Sequence, residues 1–224
     1  LVELESAIRS LTREYNLLSA EKEAAESVAK GYNRAVRSLL EARDRNEIKG
    51  IHGTVAELAK VDPKYETALN VAAGARMQSI IVDDDEVAST AINYLKRNNL
   101  GRATFLPLNK MLDGKPRGKA QIVVKEAVGY AIDLIDFDER YRPAFWYVFG
   151  DTVVVDTLDQ ARRLMGGVRL VTSSGELIEA SGAMVGGTVD TNVPKFGASK
   201  KGRIDEVAEE AQKLLAISLE GSVG

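Results

Sequence analysis

From Leu4 to Leu39, apolar side chains recur alternately four and three positions apart: Leu4, Ile8, Leu11, Tyr15, Leu18, Ala25, Ala29, Tyr32, Val36 and Leu39, with Lys22 the one polar occupant. A 3.5-residue period held this long makes a narrow seam that a second helix must bury. Proline is absent before Pro63, and Gly31 is the only glycine before Gly50. A single amphipathic helix on a domain surface is the alternative, but such helices usually stop before about 25 residues. Near the other end, Ile204, Val207, Ala211, Leu214 and Ser218 continue a three–four spacing, widened by Ala208 and Leu215 and bounded by Gly202 and Gly221. A helix that short is marginal alone in water, and the N-terminal helix is its simplest partner. The expected organisation is an N-terminal coiled-coil arm over 1–48, a globular insert over 49–202 and a C-terminal arm over 203–224, the two arms antiparallel.

Composition removes several chemistries. The chain has no cysteine, and His52 is its only histidine. Disulfides, thiolate chemistry and a multi-histidine metal cage within one chain are therefore excluded. No apolar run approaches the roughly 20 residues that span a bilayer. The first fifteen residues are charged throughout and carry no signal-type apolar core. A soluble cytoplasmic protein with no metal or cofactor is expected. The hydrophobic fraction of 45% is enough for a real core in the insert.

The insert reads as one theme stated twice. Asp62-Pro63 is a helix start, a side-chain cap followed by proline in the first turn. Tyr65, Ala68, Leu69 and Ala72 share one face of that helix, which ends near Gly74. The run 79–83 (SIIVD) is a short buried strand. Acidic residues 83–86 open another helix, closed by Asn98, Asn99 and Gly101, and 103–108 (ATFLPL) is the next strand. Tyr141, Ala144 and Gly150 then stand at the offsets of Tyr65, Ala68 and Gly74, and VVVD (153–156) matches IIVD (80–83). A shorter helix over Leu158–Leu164 and the strand VRLVT (168–172) complete the second copy. The glycine- and charge-rich 112–119 joins the copies, predicting subdomains of about 49–115 and 120–195. The second copy closes in a glycine-punctuated meander, SSGELIEASGAMVGGTVD.

Catalytic signatures are few. Gly182–Gly187 and Gly197–Gly202 have the glycine spacing of a phosphate loop, but neither supplies the Lys-Ser/Thr pair that must follow. Asp83, Asp84, Asp85 and Glu86 serve a helix N-terminus better than a cation. His52 lacks a serine or cysteine nucleophile motif to act on. Basic charge is more suggestive. Lys195, Lys200, Lys201 and Arg203 lie in a stretch with no acid between Asp190 and Asp205. At the root of the N-terminal arm, Lys30, Arg34, Arg37, Arg43, Arg45 and Lys49 outnumber Glu41, Asp44 and Glu47. A basic collar on a chain of net charge −3 points to a phosphate-backbone partner.

The segments 50–74 (GIHGTVAELAKVDPKYETALNVAAG), 80–108 (IIVDDDEVASTAINYLKRNNLGRATFLPL) and 169–189 (RLVTSSGELIEASGAMVGGTV) together resemble the hinge of structural maintenance of chromosomes (SMC) proteins. The resemblance extends over the flanking helices. It implies an α+β, two-subdomain hinge on antiparallel coiled-coil arms that dimerises, here as a homodimer. It implies no catalysis in this segment, the ATPase heads lying at the far ends of the arms, and a nucleoid-associated place in the cytoplasm. Gly182, Gly186 and Gly187 match the family's interface glycines. By location, Arg37, Arg43, Arg45, Lys49, Lys195, Lys200, Lys201 and Arg203 match its proposed DNA-contacting region. The rival expectation is an α/β nucleotide-binding or enzymatic domain.

Overall fold

The computed structural model describes residues 2–29, 31–190 and 193–198. The expected C-terminal arm, with Lys200, Lys201 and Arg203, lies outside the described residues. The chain opens with α1 (Val2–Ala29), whose seam residues Leu4, Ile8, Leu11, Tyr15 and Leu18 are exposed. α2 (Arg34–Asp44) follows after a break at Gly31, which has φ 91°. Asn33 restarts the helix, its side chain accepting from the Val36 N–H at 2.9 Å. α2 falls within the 1–48 expected for the N-terminal arm. Tyr32, Val36 and Leu39 continue the heptad spacing, yet they are buried with Ala35 and Ala42 in the core of the globular domain. Period alone cannot tell a coil partner from a domain core, since both bury the same face of a helix.

The globular part is built as the repeat predicts. Its first half holds β1 (Ile51–Thr54), β2 (Ala59–Val61), α3 (Glu66–Ala73), β3 (Ile80–Val82), α4 (Asp85–Arg97) and β4 (Phe105–Pro107). The second holds α5 (Gly118–Val123), β5 (Gly129–Tyr130), β6 (Ile135–Phe137), α6 (Arg142–Phe149), β7 (Val153–Val155), α7 (Leu158–Leu164), β8 (Leu170–Thr172), β9 (Leu177–Ile178), β10 (Met184–Val185) and β11 (Gly197–Ala198). In each half the strand after the first long helix takes one parallel and one antiparallel neighbour. β3 lies between β4 (parallel) and β1 (antiparallel); β7 lies between β8 (parallel) and β5 (antiparallel).

The correspondence extends to single torsions. Asp62 and Asp138 each cap a 3-10 turn by accepting the N–H two residues on at 3.1 Å. α3 and α6 then end on Gly74 (φ 54°, ψ −137°) and Gly150 (φ 50°, ψ −134°). That combination is closed to residues with a Cβ, whatever the surrounding space.

The halves share one core. Phe145, Leu69, Met77 and Ile80 are fully buried in a cluster drawn from both. β2 of the first half pairs antiparallel with β6 of the second, and β11 joins β2 on its other side and touches α1. Each half also sends an arginine to the helix end of the other. Arg76 Nη1 donates to the Tyr147 carbonyl at 2.6 Å, its guanidinium 4.4 Å from the Tyr147 ring. Arg169 Nη1 donates to the Ala72 carbonyl at 2.9 Å and to Thr152 Oγ1 at 3.2 Å. These carbonyls belong to helix ends that have run out of intrahelical donors. Arg169→Met keeps much of the aliphatic bulk and removes the donors, so it should cost about 2 kcal/mol in urea unfolding.

Candidate dimerisation edge

The five-stranded sheet runs β10-β9-β8-β7-β5, so β10 is an edge. Val185 pairs with Leu177 and Met184 with Ile178, and the Glu179 N–H donates to the Ala183 carbonyl at 2.8 Å. Alternation along an antiparallel pair then turns the N–H and C=O of Met184 and Gly186 away from β9, toward the open side. Both side chains of this strand are exposed, Met184 at 51% and Val185 at 59%. Exposed apolar residues on an unpaired edge are a template for another strand unless something covers them.

A second open edge lies in the first half. Its sheet runs β1-β3-β4. Ile80 N–H donates to the Thr104 carbonyl at 2.8 Å, and Leu108 N–H donates to the Val82 carbonyl at 3.0 Å. Phe105, between them in register, therefore turns its backbone groups outward, beside Pro107, which has no N–H to offer. By the internal repeat β4 corresponds to β8. In the second half β9 and then β10 lie beyond β8, whereas β4 has no strand beyond it among the described residues. One half carries two extra strands, and the other lacks them at the matching place.

The three predicted glycines fall together at this edge, with different local needs. Gly182 (φ 96°) and Gly187 (φ 126°) have left-handed torsions, and an added Cβ at either meets nothing within 4 Å among the described residues. Their requirement is conformational and internal to the protomer. Gly186 has no such torsion, and its added Cβ would meet only the Glu176 side chain, at 3.4 Å from Cγ. Gly186 is thus the glycine that the isolated protomer explains least. Gly175 is held both by a left-handed torsion (φ 97°) and by packing: an added Cβ would come within 3.0 Å of Val189 Cγ2 and 3.2 Å of Thr67 Cγ2. The turn below is fixed by Glu176, which accepts from the Thr172 hydroxyl and, at 2.7 Å, from the Ser174 hydroxyl. Those bonds hold its carboxyl below the usual carboxylate range.

The basic residues are dispersed. Arg37 and Lys49 are exposed with no ion-pair partner among the described residues. Arg43 is instead held by Asp44 at 3.0 Å and Glu57 at 3.4 Å, and Arg45 by Glu47 at 2.9 Å. Composition could not reveal that pairing, because Glu57 arrives from a distant loop. Lys195 is half-buried on the segment whose neighbour Phe196 enters the core. His52 bridges the halves: Nδ1 lies 2.8 Å from Tyr141 Oη, and Nε2 lies 2.5 Å from Asp83 Oδ1. Of the acidic run, Asp84 caps α4 at the Val87 N–H and Asp85 accepts from Asn109. Gly182–Gly187 spans a hairpin edge, not a loop leading into a helix.

The SMC proteins flexible hinge domain model matches residues 48–165. The chromosome partition protein Smc of Gloeobacter violaceus is 52% identical over 143 residues, which is 64% of this chain and 12% of that protein. Smc of Methanocaldococcus jannaschii is 38% identical over 214 residues, 93% of this chain and 18% of that protein. The chain therefore spans under a fifth of the length of these relatives. Among solved structures, an asymmetric dimer of the Geobacillus stearothermophilus SMC hinge domain superposes with a TM-score of 0.67 at 32% identity, covering 93% of this chain and 89% of that one. The Pyrococcus furiosus SMC hinge domain superposes with a TM-score of 0.60 at 38% identity, covering 84% and 94%. With its duplicated α+β halves and the match over more than half its length, this chain belongs to the SMC flexible hinge domain family.

Proposed function

We propose that this chain is the dimerisation hinge of a chromosome-partitioning SMC ATPase, joining two coiled-coil arms, and that β10 of one copy adds to β4 of another. The supporting observation is the pair of mismatched edges, one bearing extra strands and one bare. A five-stranded and a three-stranded sheet would then run on as one across the contact. A twofold axis makes the contact twice and closes the assembly. Main-chain hydrogen bonds supply the adhesion, and the small Gly186 lets the backbones approach. A relative whose solved structure is described as an asymmetric hinge dimer supports dimerisation, though not the twofold closure.

The absence of cysteine makes the contact simple to test. A chain carrying both Phe105→Cys and Met184→Cys should give a covalent dimer with a short bismaleimide crosslinker. Each single variant should stay at monomer mass on a denaturing gel. Equal crosslinking of the double and single variants would remove β4 as the partner of β10.

The reading includes DNA contact at the root of the arms, in a protein acting in the cytoplasm at the nucleoid. With Arg43 and Arg45 paired internally, Arg34, Arg37, Lys49 and Lys195 are the described residues that carry this contact. Sequence-independent binding that weakens with salt is its signature.

A further inference from the structure

We propose that the outer face of the second half, where α5 and α7 lie side by side, is a second contact surface for the phosphate backbone of nucleic acid. It rests on the nucleic-acid part of the reading above and not on dimerisation.

α5 and α7 pack on one side of the five-stranded sheet. Val153 and Val155 of β7 face Ala120 and Val123 of α5 and Ala161 of α7, whereas Val154 faces the main core. Two contacts fix the helices as antiparallel. At one end Lys119 Cδ lies 3.7 Å from where a Gly167 Cβ would stand, just past the end of α7. At the other, Gln160 Nε2 donates to the Glu126 carbonyl at 2.5 Å. With their small residues turned inward, both helices present charge outward.

That charge is basic. Residues 114–125 hold Lys115, Arg117, Lys119 and Lys125 with no acid among them, and α7 adds Arg162 and Arg163. Arg117 is spoken for by Asp151 at 3.2 Å, and Arg162 approaches Asp159 at 3.8 Å. Lys115, Lys119, Lys125 and Arg163 are exposed and have no ion-pair partner among the described residues. They stand against Glu126 and Asp156, on a chain whose net charge is −3. A local cationic excess on an acidic protein is the footprint of a polyanion.

The chemistry favours phosphate over an acidic protein segment. An acidic helix needs apolar anchors seated in a groove. Here the large apolar side chains projecting from the two helices are Ile122 (68% exposed) and Leu158 (36%), single residues of an ordinary surface. Lysines on long exposed stems suit backbone contacts, which position a duplex without reading its sequence.

Fluorescence anisotropy of a labelled DNA duplex at low salt tests the assignment. The variant Lys119→Glu/Lys125→Glu/Arg163→Glu should bind at least about tenfold more weakly than wild type, with a log–log salt slope shallower by about two to three. The corresponding Gln variants should lose part of the affinity while circular dichroism stays at wild type, which separates charge from folding. Arg34→Glu/Arg37→Glu/Lys49→Glu probes the arm root separately, and light scattering on every variant follows dimerisation independently. Wild-type affinity in the α5–α7 variants, no duplex binding by the wild-type chain at low salt, or a preference for poly-glutamate over DNA at equal charge would each overturn the proposal.

Discussion

Gly186→Lys should convert the dimer into a folded monomer. The protomer has room for the new side chain. Gly186 lacks a left-handed torsion, and among the described residues its Cβ would meet only Glu176. Lysine is a better probe than glutamate at this place, because Glu176 already sets a carboxylate beneath it. In a paired edge the same side chain would stand on the sheet face, among the side chains that the partner strand brings alongside. Beside Glu176 the lysine has an ion-pair partner, so the loss comes from crowding and desolvation at the covered edge, and dimerisation should weaken at least about tenfold. Sedimentation should then report about the chain mass of 24.3 kDa, with circular dichroism unchanged. Gly182→Ala serves as the contrast. It forces an L-residue to φ 96° and should lower stability by at least about 1 kcal/mol, with the dimer intact where the fold survives. Dimerisation by Gly186→Lys at wild-type affinity would move the interface away from β10.

The second large effect concerns the core that the halves share. Phe145 is fully buried on α6 and stacks on Phe137 of β6, ring centroids 4.3 Å apart and planes within 6°. β6 is the strand that pairs with β2 of the first half. Phe145→Ala should cost about 3–5 kcal/mol. Since the cluster is common to both halves, the loss should appear in one cooperative transition followed by several probes. Two separated transitions, one per half, would show that the halves fold independently despite the strand pair and the reciprocal arginines.

The duplicated theme was legible in sequence because it rests on local signals. Asp-x-Lys/Arg-Tyr caps, helix-ending glycines and short β-branched runs act within a few residues of themselves. The glycine-rich meander was visible in sequence, but sequence could not separate Gly182 and Gly187, needed by their own torsions, from Gly186, whose neighbours leave it room. What escaped was non-local. β1, β2, β5 and β6 are two to four residues long and take their identity from partners far along the chain. α2 carries the same apolar spacing as the arm and differs only in what buries it. The pairing within the basic collar is non-local too: Glu57 reaches Arg43 only once β1 and the loop after it have folded back.

Amide hydrogen exchange of the wild-type chain at micromolar concentration tests edge pairing residue by residue. Within the protomer, the N–H groups of Phe105, Met184 and Gly186 have no acceptor among the strands described, and alone they would exchange as fast as open loops. In the β10–β4 dimer they become rungs of a ladder and should be protected well above the exposed Ser181 and Ala183 turn, with the protection lost in Gly186→Lys. Loop-like exchange at all three amides, in a chain that sediments as a dimer, would contradict the account and place the interface elsewhere.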